Sequence, residues 1–131
     1  MSIMMMFEAD SHISEADVRL ALSRCGVDRL VEREGGFSGN FPSSNMFFSY
    51  QHAADGEGAI KVEGATDFNW EVGCRLMFTY VTASYTECSS QLHCFAEMIS
   101  EVSDGSWVLS FQYEVICAKK DDNGFIVLKD F

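Results

Sequence analysis

Basic residues, prolines and paired cysteines are what this sequence is short of. Only nine of its 131 residues are Lys or Arg against 20 Asp or Glu, a formal net charge of −11. A surface that grips nucleic acid or an anionic membrane needs clustered cations, so both are poor partners and a basic partner or plain solubility fits better. One proline, Pro42, and ten glycines argue against a long disordered linker. No repeat or composition boundary divides the chain, so residues 1–131 are read as a single domain. The five cysteines Cys25, Cys74, Cys88, Cys94 and Cys117 are odd in number and form no CxxC pair. The opening MSIMMMF lacks the basic start of a signal peptide, is far too short to cross a bilayer and reads as a strand or packed terminus. Reduced thiols and a cytoplasmic location are therefore expected. GxSxG, GxxxxGK[ST] and HExxH motifs are missing too, which removes the simple hydrolase, nucleotide and zinc-protease readings. No cofactor is expected.

What the chain does have is apolar bulk: 47% hydrophobic residues, with eleven Phe, four Tyr and two Trp, enough for a thick core. Ser14 as N-cap with Asp17 three residues on, Ile13 placed to staple onto Val18, the stripe Val18, Ala21, Leu22, Cys25 and the stop at Gly26 predict a helix over 15–25. VDRLVERE then reads as a strand ending at Gly35-Gly36. In SSNMFFSYQHAADGEG, Met46, Phe48 and Tyr50 alternate, while Met46, Phe47, Tyr50, Ala53 and Ala54 fall at helical spacing. Ser44 or Asn45 as N-cap and Gly56 as terminator tip residues 44–56 toward a buried helix.

Beyond it the pattern is β. AIKVEGATDFNW and VGCRLMFTYVTAS are strand-like. Within residues 87–120 a helix is allowed with Cys88, Leu92, Phe95, Ile99 and Val102 on one stripe. A hairpin at Asp104-Gly105 competes, setting Val102 opposite Trp107, Met98 opposite Phe111, Cys94 opposite Val115 and Leu92 opposite Cys117, with His93, Glu97, Glu101, Gln112 and Glu114 on the reverse. The register match favours the hairpin. A second hairpin is expected at Asn123-Gly124. The fold class is α+β: a long antiparallel meander around one buried central helix, with a short N-terminal helix.

Three stretches resemble the hotdog-fold 3-hydroxyacyl thioester dehydratases and related thioesterases: FSGNFP at 37–42, VEGATDFNWEVGCRLMF at 62–78 and SDGSWVLSFQYEVICA near the C-terminal end. The likeness runs from about Val27 to Lys119. It implies a hotdog fold, pairing as a homodimer or heterodimer, and a pocket for acyl-carrier-protein or acyl-CoA thioesters of fatty acid or polyketide metabolism. It also exposes two departures. Asn40 stands where the family keeps its catalytic histidine, and an amide cannot relay a proton as imidazole does. Ser49 falls where the acidic partner would be. The resemblance therefore implies a dehydratase-like, acyl-thioester-binding protein without standard catalysis, such as the silent partner of an active subunit. Asn40, Phe41, Ser44, Met46, Phe47 and Tyr50 would line the ligand site, though Asn40, Ser43, Ser44 and Asn45 are equally common turn formers. His52 and Asp55, three apart, are the candidates for a replacement acid–base couple, against an ordinary helix-end histidine. Cys88, His93, Cys94 and Glu97 share no face in either reading, so no metal site is expected.

The rival expectation is an acidic bacterial interaction protein, such as a toxin-immunity protein or secretion chaperone, steered to a basic partner by charge. Only Arg24, Arg29 and Arg33 cluster as a docking patch for an acidic carrier protein.

Overall fold

The apolar opening becomes the strand at the heart of the molecule. In the computed structural model, which describes residues 2–54, 56, 58–64 and 68–131, β1 (Ser2–Ala9) lies between β5 (Cys74–Val81) and β6 (Trp107–Phe111), antiparallel to both. The remaining strands are β2 (Val31–Arg33), β3 (Gly36–Asn40), β4 (Phe47–His52), β7 (Val115–Asp121) and β8 (Gly124–Val127). They complete one eight-stranded antiparallel sheet in the order β2-β3-β4-β5-β1-β6-β7-β8. The helices are α1 (Glu15–Arg24) and the longer α2 (Tyr85–Val102). Because β5 and β6 both run against β1 they run parallel to each other, and α2 carries the chain across between them. This is the split β-α-β arrangement, in which a strand from elsewhere fills the gap beneath a crossover helix.

Strand alternation decides the faces. Met5, Phe7 and Ala9 of β1, Cys74, Leu76 and Phe78 of β5, Phe48 and Tyr50 of β4, and Trp107 and Leu109 of β6 share one core with Val18, Ala21 and Leu22 of α1. Cys88, Leu92, Phe95, Ala96 and Ile99 of α2 belong to the same core, and α1 packs on α2. Both helices therefore cover one face. Phe7 meets Phe95 edge-on at 5.1 Å and lies 5.5 Å from Trp107.

Local signals held where they were complete. The α1 capping box forms in both directions between Ser14 and Asp17, Cys25 is the C-cap, and Gly26 takes φ +96°. The C-terminal hairpin forms with Asp121 opposite Gly124. β2 occupies only the end of VDRLVERE. Three assignments are overturned. Residues 47–52 are strand rather than helix: β4 is hydrogen-bonded between β3 and β5. The alternation of Met46, Phe48 and Tyr50 was the true signal, while the supposed N-cap region is a tight turn with positive φ at Ser43 and Asn45. Residues 85–102 are helix rather than the first arm of a hairpin, with Cys88, Leu92, Phe95 and Ile99 almost wholly buried. Asp104-Gly105 links α2 to β6 because a Cβ on Gly105 would come within 2.5 Å of Ile13 Cγ1. The glycine permits a close approach, and no hairpin turn is involved. The expected strand at 59–70 is irregular among its described residues. The long helix is thus supplied by 85–102, and no helix among the described residues is long and apolar enough to cross a membrane.

Candidate functional site

The loop 41–46 joining β3 to β4 brings the expected ligand residues together as structure. Asn40 is exposed and its Nδ2 donates to Asn45 O at 3.0 Å. Phe41, Met46 and Tyr50 are core residues, with Tyr50 stacked on Phe37 at 4.7 Å. Phe47 projects the other way and is 37% exposed. Ser43 donates to Glu87, Ser44 donates to Gln91, and Gln91 Nε2 returns a bond to Pro42 O at 3.1 Å. Those three bonds dock the turn against the first turns of α2. Ser44, Asn45 and Met46 also line a cavity of about 360 Å³ with Thr79, Tyr80 and Val81. Ser49 sits opposite Ser38, and Asn40 opposite Phe47, on neighbouring strands.

His52 ends β4 instead of a helix. Its Nε2 lies 2.9 Å from Glu15 Oε1 and its Nδ1 lies 3.3 Å from the Tyr50 hydroxyl. Glu15 in turn pairs with Arg19, which forks onto Glu32 at 2.7 and 3.2 Å. The imidazole thus belongs to a surface network tying α1 to the sheet, and Asp55 lies outside the described residues. His93 stacks on Phe131 at 3.9 Å. Cys94 faces Cys25, whose thiol is pushed up by burial first and by the bond to Cys94 second. No group of three or more His, Cys, Asp and Glu that could hold a metal forms among the described residues.

Two of the cavities among the described residues lie on opposite faces of the sheet. The first, about 300 Å³, is between the sheet and the start of α2, walled by Ile3, Met5, Tyr80, Phe111, Val115 and Cys117. Lys129 and Phe131 stand at its edge, where Leu128 N–H donates to Cys117 O at 2.7 Å and folds the tail back. Burial raises the Tyr80 phenol to about 12 and also raises the Cys117 thiol. Both are neutral at physiological pH, so the wall is chemically quiet.

The second cavity, about 320 Å³, opens on the face without helices. Its floor is Met6, Ser49, Gln51, Arg75 and Met77; His52, Lys61 and Tyr113 rise around it. Beside it Glu8 is 0% exposed. The Glu8 carboxylate accepts Arg75 Nε at 3.1 Å and the Lys61 N–H at 3.0 Å, and Arg75 Nη2 donates to Ala59 O at 2.8 Å. One ion pair therefore straps the irregular 59–61 segment across the sheet. Tyr113 arrives by a strained turn: Gln112 and Tyr113 have φ of 50° and 65°, and Glu114 N–H closes onto Phe111 O at 2.8 Å. That is a type I′ turn, which glycine and asparagine favour; two bulkier residues there cost roughly 1–2 kcal/mol each. Ser110, cross-strand from Met6, keeps a buried hydroxyl with no hydrogen-bond partner among the described residues.

No family model, curated protein or solved structure matches this chain.

Neither cavity was legible in the sequence. The apolar one draws on β1, β5, β6 and β7, and the polar one on β1, β4, β5 and two loops, so each is assembled from segments far apart in the chain. Alternation in VGCRLMFTYV was the one usable clue, since it already set Arg75 and Met77 on the face opposite Leu76 and Phe78.

Proposed function

We propose that this protein binds acyl thioesters without processing them, as a hotdog-like, dehydratase-related subunit whose long helix is α2. The observation that carries the reading is the apolar cavity of about 300 Å³ between sheet and helix. That volume is at the lower end of small-molecule sites, and an almost wholly apolar wall suits a short acyl chain. Lys129 stands at the edge beside the Asp130 carboxylate, and it is the cation that the phosphates of acyl-CoA or of a carrier-protein arm would meet. Asn40, the expected stand-in for a catalytic histidine, is exposed at the end of β3 and bonded to Asn45, away from this cavity's wall. A second copy, or an active sister subunit, would add along β8, whose Phe125, Ile126 and Val127 are exposed at the sheet edge.

Calorimetry with butyryl- to octanoyl-CoA tests this. One-to-one binding lost at least tenfold in Val115→Trp, with an unchanged melting temperature, is the expected result; equal affinity in the filled variant would sink it. Asn40→His is expected to yield no hydratase activity.

A second reading, an acidic immunity or chaperone protein for a basic partner, is favoured by α2. Its Glu87, Glu97 and Glu101 are exposed and the helix carries no Lys or Arg, although Glu97 and Glu101 repel at i,i+4. Glu97→Lys with Glu101→Lys should then abolish binding to a basic partner at low salt, and retention after reversal would remove this support.

A further inference from the structure

Three departures from what the fold alone requires meet at the cavity on the helix-free face. The Glu8–Arg75 pair is withdrawn from water, which an apolar pair of the same shape would achieve without the desolvation cost. The turn that delivers Tyr113 keeps two side chains in a backbone region they avoid, and such outliers gather at binding and catalytic sites. Two of the nine cations of a chain with net charge −11, Lys61 and Arg75, line this one cavity. Each has a bland explanation alone, since the ion pair also straps the 59–61 segment. Their convergence on a single opening of about 320 Å³ does not.

We propose that this cavity binds a small aliphatic carboxylate. The Lys61 ammonium takes the carboxylate, with the Tyr113 hydroxyl and the Gln51 amide as further donors, while Met6 and Met77 cover the short hydrocarbon part. The electrostatics have the right sign: the Glu8 charge is met by Arg75 at 3.1 Å, and the exposed Lys61 side chain lines the opening. A carboxylate suits the point charge of Lys61 with two neutral donors beside it. The site is independent of the acyl cavity, which lies on the other face, so either can fail without the other.

Adjacent methionines make the test direct. Met6 and Met77 line the polar cavity and Met5 the apolar one, so methyl-labelled methionine reports the two faces separately. Propionate titrated to about 10 mM, the range of weak small-ligand binding, should shift the Met6 and Met77 methyls saturably and leave Met5 unmoved. Lys61→Met should weaken this at least fivefold and Lys61→Arg far less, with both variants melting as wild type. Absence of a saturable shift, an equal response to uncharged propionamide, or a Lys61→Met protein that binds as wild type would each overturn the proposal. Binding of inorganic phosphate as tight as propionate would overturn the assignment to carboxylates.

Discussion

The two faces of the sheet are built from the same strands and have opposite chemistry. Beneath the helices, Phe7, Phe78 and Trp107 pack against α2 in a core of aromatic contacts. One residue along, on the reverse side, stand Glu8, Arg75, Met77 and Ser110, crossed by an irregular segment held through an ion pair. The first face holds by volume and shape, so its failures are cavities. The second holds by a few directional bonds, so its failures are unpaired charges. A sheet with only one face helix-covered can carry polar machinery on the other at modest cost, because stability is already secured elsewhere.

Changes to each face should break this contrast by different routes. The largest loss is expected from Phe7→Ala, about 3–5 kcal/mol by denaturant unfolding, because Phe7 touches both Phe95 and Trp107. Glu8→Gln should cost about 3 kcal/mol by removing the buried carboxylate that pairs with Arg75, and amide exchange at Lys61 should quicken. The pair Glu8→Met with Arg75→Met should recover most of that loss, since two apolar groups replace two desolvated charges. A double variant as unstable as the single one would show that the pair does more than balance itself.

Alkaline pH sharpens the same comparison. Burial first, with the Asp10 charge adding to it, raises the Cys74 thiol from 9.0 to about 11 in the folded protein. The folded state thus holds a proton that the unfolded state releases, so the contribution is complete below about pH 9 and is lost as pH rises toward 11. Urea midpoints should fall across that window, and less so in Cys74→Ala. The smallest effect is expected on the polar side. Gln112→Gly should stabilise by about 0.5–1 kcal/mol, the relief of a positive φ less the entropy that glycine adds to the unfolded chain. Destabilisation there would mean that the Gln112 side chain contributes more than its backbone strain.

The helix α1 was legible because its evidence is local: Ser14, Asp17, the stripe and Gly26 lie within thirteen consecutive residues. Residues 47–52 and 85–102 were misread for the converse reason. Each offers apolar residues at both spacings, and the choice falls to partners remote in sequence. Phe48 and Tyr50 alternate because β3 and β5 flank them. Leu92 and Phe95 sit on a helix because β5 and β6 are already taken by β1, leaving the segment between them free to cross over. The hairpin register failed because the match across Asp104-Gly105 reflected two apolar segments facing one core from different layers.

By itself, then, the chain determined an acidic α+β domain with a capped first helix, a closing hairpin and a core of aromatics, since these depend on composition and on neighbours a few residues apart. Only the tertiary structure decided which apolar segment is helix and that β1 lies at the centre. It alone brought Glu8 to Arg75 and Tyr113 to Lys61, because strand order and buried pairing are set by contacts across dozens of residues, where sequence spacing carries no distance information.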